Sequence, residues 1–375
     1  MGIAVDGKDL IVDGSFQGAE IAICGPGYGE SALVCLAPNS WLIVDCCVHH
    51  DYEEPTPLAY LRLKGLDPEK VVKMIVISHW HDDHIRGAAT LIDRCPNATV
   101  VFSSMIRHAE FTHLVAAYYS KYNIDSSGVT EMAKVFDALQ SRKKSSATPV
   151  LAVASRRLLK LDAPWPVEIW SLSPSDRGIQ KALQALSSMM KVGQPKLRLP
   201  VIAPNTTSIV LWIKIGLRIL LFGGDLEQET NESLGWSAIL ADTSRPEGNA
   251  WAFKLPHHGG KSGYNAEVWT TMLQPQPIAL IVPFRHGNRT MPSREDADRI
   301  LKHTNQAFLT ADPAGLCHKQ NRCQAVERTI RETGKPLLTS PFAKGIVSVK
   351  FNPKDASDPI IDLLHGAIPL RNMQI

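Results

Sequence analysis

His79-Trp80-His81-Asp82-Asp83-His84 follows directly on the apolar run Val71-Val72-Lys73-Met74-Ile75-Val76-Ile77-Ser78. Three imidazoles and two carboxylates of the metal-binding type are thus packed into six residues at the mouth of a predicted buried strand. Imidazole and carboxylate are ligands that suit zinc, iron and manganese. The chain holds only 13 His, so such a cluster is not expected by chance. At a strand end, His79 and His81 point to the same side. Asp83 and His84 belong to the turn that follows and can fold back towards a second ion.

Outward from this stretch, the sequence reads as interleaved strands and helices. Glu20 to Cys24, Ala32 to Leu36 and Trp41 to Cys46 form predicted consecutive strands, separated by glycine- and proline-rich turns. A helix follows Pro57 and stops at Gly65, and another lies near Ala88 to Arg94. Residues 104–200 differ in character. Met105 to Tyr122, the spacing around Met132, Val135, Phe136 and Leu139, and Gly178 to Lys191 predict helices, with one strand at Val167 to Leu172. Strands return at Thr207 to Ile215, Leu217 to Phe222, Ala250 to Leu255 and Ile278 to Pro283. We read one domain over 1–375, an α/β fold of two sheets covered by helices, with 104–200 as a largely helical insertion.

Composition sets the bounds. The 375 residues are 44% hydrophobic and 21% charged, an ordinary globular balance. A net charge of +3 does not by itself mark a nucleic-acid binder. The short basic clusters Arg142-Lys143-Lys144, Arg156-Arg157 with Lys160, and Lys196 with Arg198 read as solvated faces. Seven Cys, without a CxxC pair, fit a reducing compartment. Cys317, His318 and Cys323 lack an evident fourth ligand. No signal-peptide pattern and no apolar run of spanning length is present. The expectation is a soluble cytoplasmic protein with no membrane partner.

Two further segments carry chemistry. Arg218-Ile219-Leu220-Leu221-Phe222-Gly223-Gly224-Asp225 is a strand ending in two glycines and an acid that could bridge two cations. Phe253-Lys254-Leu255-Pro256-His257-His258-Gly259-Gly260-Lys261-Ser262 is a strand delivering two histidines to a glycine-rich turn able to hold phosphate oxygens. Taken alone, each also reads as an ordinary polar turn.

In order, these motifs resemble the metallo-β-lactamase superfamily, whose H-x-H-x-D-H signature matches His79, His81, Asp83 and His84. Within it the chain is similar to the hydrolase domain of the ComEC competence proteins and their free-standing relatives. The matching residues are Gly27-Tyr28-Gly29-Glu30-Ser31, the strand ending at Asp45, Asn205-Thr206-Thr207-Ser208, Gly224-Asp225, Pro256-His257-His258-Gly259, and Asn288-Arg289 before Pro292. Three departures stand out. His81 replaces the Asp frequent in that branch, Met291 replaces a frequent His, and the transmembrane channel is absent. A further superfamily His between the first motif and the bridging Asp has no clear equivalent; Asn205 lies in the corresponding region.

The resemblance implies a four-layer αββα sandwich and two divalent metal ions, zinc foremost, with manganese or iron as alternatives. It implies His79, His81 and His257 at one ion, Asp83 and His84 at the other, and Asp225 between them. His258 is then the general acid, and Asp83 counts among the catalytic groups as well as the ligands. His257 and His258 can exchange roles. Asn205, Lys261, Ser262 and Arg289 are candidate phosphate contacts. Asp45 either orients a ligand or caps a strand end, Glu30 lies near the site, and Trp80 packs beneath the ligands. The implied activity is phosphodiester hydrolysis of nucleic acid by hydroxide at a dinuclear centre. A small-molecule phosphoester or lactone hydrolase is the alternative enzyme reading. A partner-gated effector, with a protein docked on 104–200, is the alternative from another class.

Overall fold

Trp41 and Ile43 face one apolar cluster while Leu42 and Val44, between them, face another. The same split divides Ile75 and Ile77 from Met74 and Val76. A strand buried on both faces reads as a continuous apolar run, which is why Val71 to Ile77 carries so little polar alternation. The structure is a computed structural model describing residues 18–27, 29–48, 54–108, 111–112, 115, 128–142, 148–190, 204–286, 289–315 and 345–374.

In chain order the strands of the first half are β1 (Ala19–Gly27), β2 (Gly29–Ala37), β3 (Ser40–Val44), β4 (Val72–Ile77), β5 (Thr99–Ser103), β6 (Val150–Ala152), β7 (Arg156–Leu161) and β8 (Val167–Ser171). They are followed by β9 (Leu211–Ile215), β10 (Arg218–Phe222), β11 (Ala250–Lys254), β12 (Leu273–Ile281), β13 (Phe284–His286), β14 (Arg289–Met291), β15 (Ala307–Leu309), β16 (Ile346–Phe351), β17 (Ile360–Leu364) and β18 (Ile368–Pro369). One eight-stranded sheet runs β17-β16-β1-β2-β3-β4-β5-β6, and the other runs β18-β15-β12-β11-β10-β9-β8-β7. A separate hairpin joins β13 and β14.

Three apolar clusters fill the three spaces of a four-layer sandwich. Between the sheets, Ile21, Ile23, Leu42 and Met74 meet Ile213, Leu220, Ala252 and Ile278. Outside the first sheet, Leu58, Leu91, Ile92, Met132 and Val135 come from the helices Thr56–Leu63, Ala88–Arg94 and Gly128–Ser141. Outside the second, Trp236, Ile239, Val268, Trp269 and Ile300 come from Gly235–Ala241, Ala266–Thr271 and Arg294–Leu301. The αββα architecture is the expected one.

Residues 104–200 contain more strand than the sequence suggested. The helices Gly128–Ser141 and Asp176–Met190 are present, but β6 completes the edge of the first sheet, and β7 and β8 complete the edge of the second. Arg156-Arg157-Leu158-Leu159-Lys160-Leu161 shows no clean alternation because β7 is an edge strand, where charge discourages pairing with another chain. Arg157 lies over the Trp170 ring, 5.6 Å from its centroid. This basic cluster therefore has a structural reading. Lys143, Lys144, Lys196, Arg198, Cys317, His318, Cys323 and most of the helix expected at 105–122 lie outside the described residues. Among the described residues no helix is long and apolar enough to cross a membrane.

Candidate metal centre

Parallel pairing aims several strand ends at one edge of the sandwich. β3 runs parallel to β4, and β10 parallel to β11. Their carboxyl ends carry Asp45, His79, Asp225 and the 257–258 histidines. Crevices outside the carboxyl ends of parallel strands are where open α/β sheets bind ligands. The sheets are tied there by the Ile209 N–H, which donates to the Ser78 carbonyl at 3.0 Å. Two glycines permit the close approach. A Cβ on Gly29 (φ +110°) would overlap the Asp83 backbone, and one on Gly224 (φ +52°) would overlap Ser208 Oγ and the Ile209 carbonyl.

The hexapeptide is oriented from behind by one carboxylate. Asp45, buried and in left-handed backbone conformation (φ 61°), accepts the Ser78 N–H on Oδ1 and the Ser78 hydroxyl on Oδ2, both at 2.7 Å. The Ser78 hydroxyl proton being spent on Asp45, its oxygen accepts from His79 Nδ1 at 2.9 Å. His84 Nδ1 donates to Asp45 Oδ2 at 2.8 Å. Both rings are thereby held as tautomers that turn Nε2 inward, the usual device for a metal-ligating histidine. His79 Nε2 lies 3.1 Å from His81 Nδ1 and 3.9 Å from Asp225 Oδ2. His84 Nε2 lies 3.3 Å from Asp225 Oδ1 and 3.7 Å from Asp83 Oδ2. The two other side chains of the hexapeptide serve packing. Trp80 packs edge-on against Phe111 at 5.7 Å, and Asp82 accepts the N–H of Gly128.

The second sheet contributes Asp225 and His258. Asp225 N–H donates to Ser208 Oγ at 2.9 Å. His258 is fully enclosed; its Nδ1 donates to the Val282 carbonyl at 3.0 Å, and its Nε2 reaches to 3.2 Å from Asp83 Oδ2. His257 faces differently. Its Nδ1 lies 2.7 Å from Ser262 Oγ and 2.9 Å from Glu227 Oε1. Of the two histidines whose roles the sequence leaves exchangeable, His258 rather than His257 therefore lies beside Asp83. Both residues have positive φ (47° and 56°), and this tight turn sends neighbouring rings to different places. Strand alternation cannot predict that outcome.

The candidate phosphate contacts divide. Asn205 is buried and donates to Glu227 Oε1 at 3.1 Å, with its Oδ1 lacking a hydrogen-bond partner among the described residues. Ser262 is engaged with His257. Lys261 is exposed. Arg289 begins β14, but its side chain lies outside the described residues.

Electrostatics agree with a cation-binding role. Burial, with His84 adding, holds the His79 imidazole well below its usual range, so it is a neutral donor. Burial also disfavours a charged His84, but Asp225, Asp83, Glu30 and Asp45 outweigh it and push that group well above its usual range. Burial would raise Asp225; His84 and His258 instead hold it well below the carboxylate range. A divalent cation would replace those shared protons. Among the described residues the buried His84 Nε2 and Asp225 Oδ1 have no hydrogen-bond partner, and such atoms require an account. The residues present therefore fit a divalent ion. Among the described residues two groupings bring donors within ligand reach, His79 with His84 and Asp225, and Glu30 with His84 and His258. In the second, Glu30 faces the Nδ1 atoms already given to Asp45 and Val282, so the cation-facing side is that of the Nε2 atoms.

Sequence reasoning missed Ser78, Glu227 and Lys254. Lys254 had a visible signal, a charged residue inside the otherwise apolar run Ala250–Leu255. Ser78 and Glu227 had none, since each is an ordinary polar residue beside a motif.

Comparison with known proteins covers part of the chain. Residues 24–139 match the profile of the Metallo-beta-lactamase superfamily. No curated protein matches. Similar solved structures include the metallo-beta-lactamase fold protein YhfI from Bacillus subtilis, at 13% identity and a TM-score of 0.29, covering 57% of this chain and 65% of that one. They also include a Cronobacter sakazakii metallo-beta-lactamase with a HARLDQ motif, at 13% identity and a TM-score of 0.30, covering 56% of this chain and 61% of that one. The chain thus spans less than two thirds of the length of either structure. The matched residues 24–139 hold the hexapeptide, Glu30 and Asp45.

Proposed function

We propose that this protein is a metal-dependent phosphodiesterase of the ComEC-like branch, acting on nucleic acid with two divalent ions, zinc foremost. The observation that carries the metal-dependent part is the convergence of the buried His79, His84, Asp225 and His258 with the partly exposed Asp83, and with His84 Nε2 and Asp225 Oδ1 having no hydrogen-bond partner among the described residues. His79 Nε2 and His81 Nδ1 would hold the first ion, Asp83, His84 Nε2 and His258 Nε2 would hold the second, and Asp225 would be available to both. The chemistry such ions supply when bound is polarisation of a phosphoryl oxygen and a lowering of the pKa of water from 15.7 to about 7.

The remaining roles belong to the chain itself. His257, held at Nδ1 by Glu227 and Ser262, has Nε2 for protonating the leaving oxygen. Glu227 keeps that imidazole oriented and is itself held by Asn205. Asn205 Oδ1, without a partner, and Lys261, on the exposed part of the turn, supply polar contacts for the substrate. Support for nucleic acid comes from the order of motifs, from Gly27-Tyr28-Gly29-Glu30-Ser31 through Pro256-His257-His258-Gly259.

The test is a matrix of metals against substrates with the purified protein. Zinc, manganese and iron are each supplied with single- and double-stranded DNA, RNA, cyclic nucleotides and bis-p-nitrophenyl phosphate. The proposal expects cleavage of DNA or RNA. Hydrolysis confined to the small esters would overturn the nucleic-acid assignment, and no hydrolysis with any metal would overturn the enzymatic one.

A further inference from the structure

The cluster has a second carboxylate behind it that no ligand role explains. Glu30, near the start of β2, pairs with Lys254, the last residue of β11. The two side chains are only 5% and 4% exposed, and they belong to opposite sheets. Glu30 Oε1 lies 3.6 Å from His84 Nδ1, and Oε2 lies 3.5 Å from His258 Nδ1. Those nitrogens donate elsewhere, to Asp45 and to the Val282 carbonyl, and Glu30 Oε2 has no hydrogen-bond partner among the described residues. Glu30 therefore sits against the backs of both rings without being their hydrogen-bond acceptor.

Stability is a poor explanation for such a pair. Removing two charges from water offsets most of their attraction, and buried ion pairs can often be replaced by apolar residues without loss. What distinguishes this pair is its place. Each sheet delivers one of these rings separately, His84 from the turn after β4 and His258 from the turn after β11. The pair joins the sheets directly behind both rings. Of the carboxylates gathered here, Glu30 and Asp45 lie behind the rings and Asp83 and Asp225 lie in front. Lys254 is the one ammonium paired with any of them among the described residues.

We propose that Glu30 and Lys254 form a cross-sheet clamp that sets the distance and orientation of His84 relative to His258, and so the affinity of the second metal position. They are positioning residues, not ligands. This rests on the assignment of His84 and His258 as ligands of one ion.

The experiment measures Zn2+ affinity by competition with a chromophoric chelator, alongside the thermal midpoint of the metal-free protein. The variants are Glu30→Gln, Lys254→Arg and the double replacement Glu30→Met with Lys254→Met. The double variant is expected to keep the wild-type thermal midpoint while binding its weaker Zn2+ about 10–100-fold less tightly, the usual cost of losing an outer-shell partner. Lys254→Arg is expected to keep both properties. A double variant that binds Zn2+ as the wild type does overturns the clamp. Should the double variant fail to fold, Glu30→Gln decides by the same titration: at least a ~10-fold loss supports the clamp, and unchanged affinity overturns it. Wild-type protein that binds no Zn2+ would instead overturn the reading of the centre, and the clamp with it.

Discussion

The two halves of the centre are built differently. On the first sheet, four candidate ligands come from one turn, and Asp45 alone orients two of them, one directly and one through Ser78. On the second sheet, Asp225 and His258 come from two separate strand ends, and different groups hold them, Ser208 and the Val282 carbonyl. A contiguous turn can be positioned by a local hydrogen-bond set. Ligands from separate strands depend on the sandwich as a whole, and their positions are only as good as the packing between sheets.

Several experiments would break or sharpen this contrast. The largest effect is expected for His84→Ala or Asp83→Ala, which should drop hydrolysis to background and remove bound metal; full activity in either variant would show the centre is wrongly assigned. His257→Ala separates the two histidines of the second-sheet turn. It should cost roughly 10²–10⁴-fold in kcat with metal content unchanged, as for loss of a general acid. His258→Ala should lose metal as well, and the opposite result would make His257 the ligand. Asp45→Asn should lower metal affinity about 10–100-fold, read by the same chelator competition. Because Asp45 supports both His79 and His84, the loss should appear at both ions. A loss at one ion only would dissolve the contrast between the sheets.

The smallest effect is a pH dependence of the metal-free protein. His84 is raised above its ordinary 6.5, so its contribution to stability is fully present below that value and is lost as pH rises through the raised value. Asp225 is depressed below its ordinary 3.8, so its contribution is present above that value and is lost as pH falls through the depressed one. The thermal midpoint of metal-free protein should therefore decline as pH is raised above neutrality. Saturating Zn2+ should abolish that decline, because the ion takes the place of the His84 proton. A metal-free midpoint that climbs over the same range would contradict the charge state assigned to His84.

Much of this was legible in the residues. Val71–Ile77 reads as a buried strand because it has no polar face, and His79–His84 reads as a candidate site because nothing in a folded core needs three imidazoles in six residues. The helix over Thr56–Leu63 follows from Pro57 and Gly65. Less legible were β6, a short strand whose partner β5 lies far back along the chain, and β7, whose charges suit an edge. The order of His257 and His258 was not legible at all, because left-handed backbone at both residues destroys the periodicity from which facing is inferred.

The amino-acid sequence by itself determined which donors exist and which strand ends they follow, because apolar runs and their glycine-bounded ends are local properties. Tertiary structure decided which of those donors meet. Asp45 behind His84, Glu30 against Lys254, and His258 rather than His257 beside Asp83 are contacts between segments distant in sequence. Such contacts depend on sheet register and on how closely the layers pack, and no stretch of the chain encodes them alone.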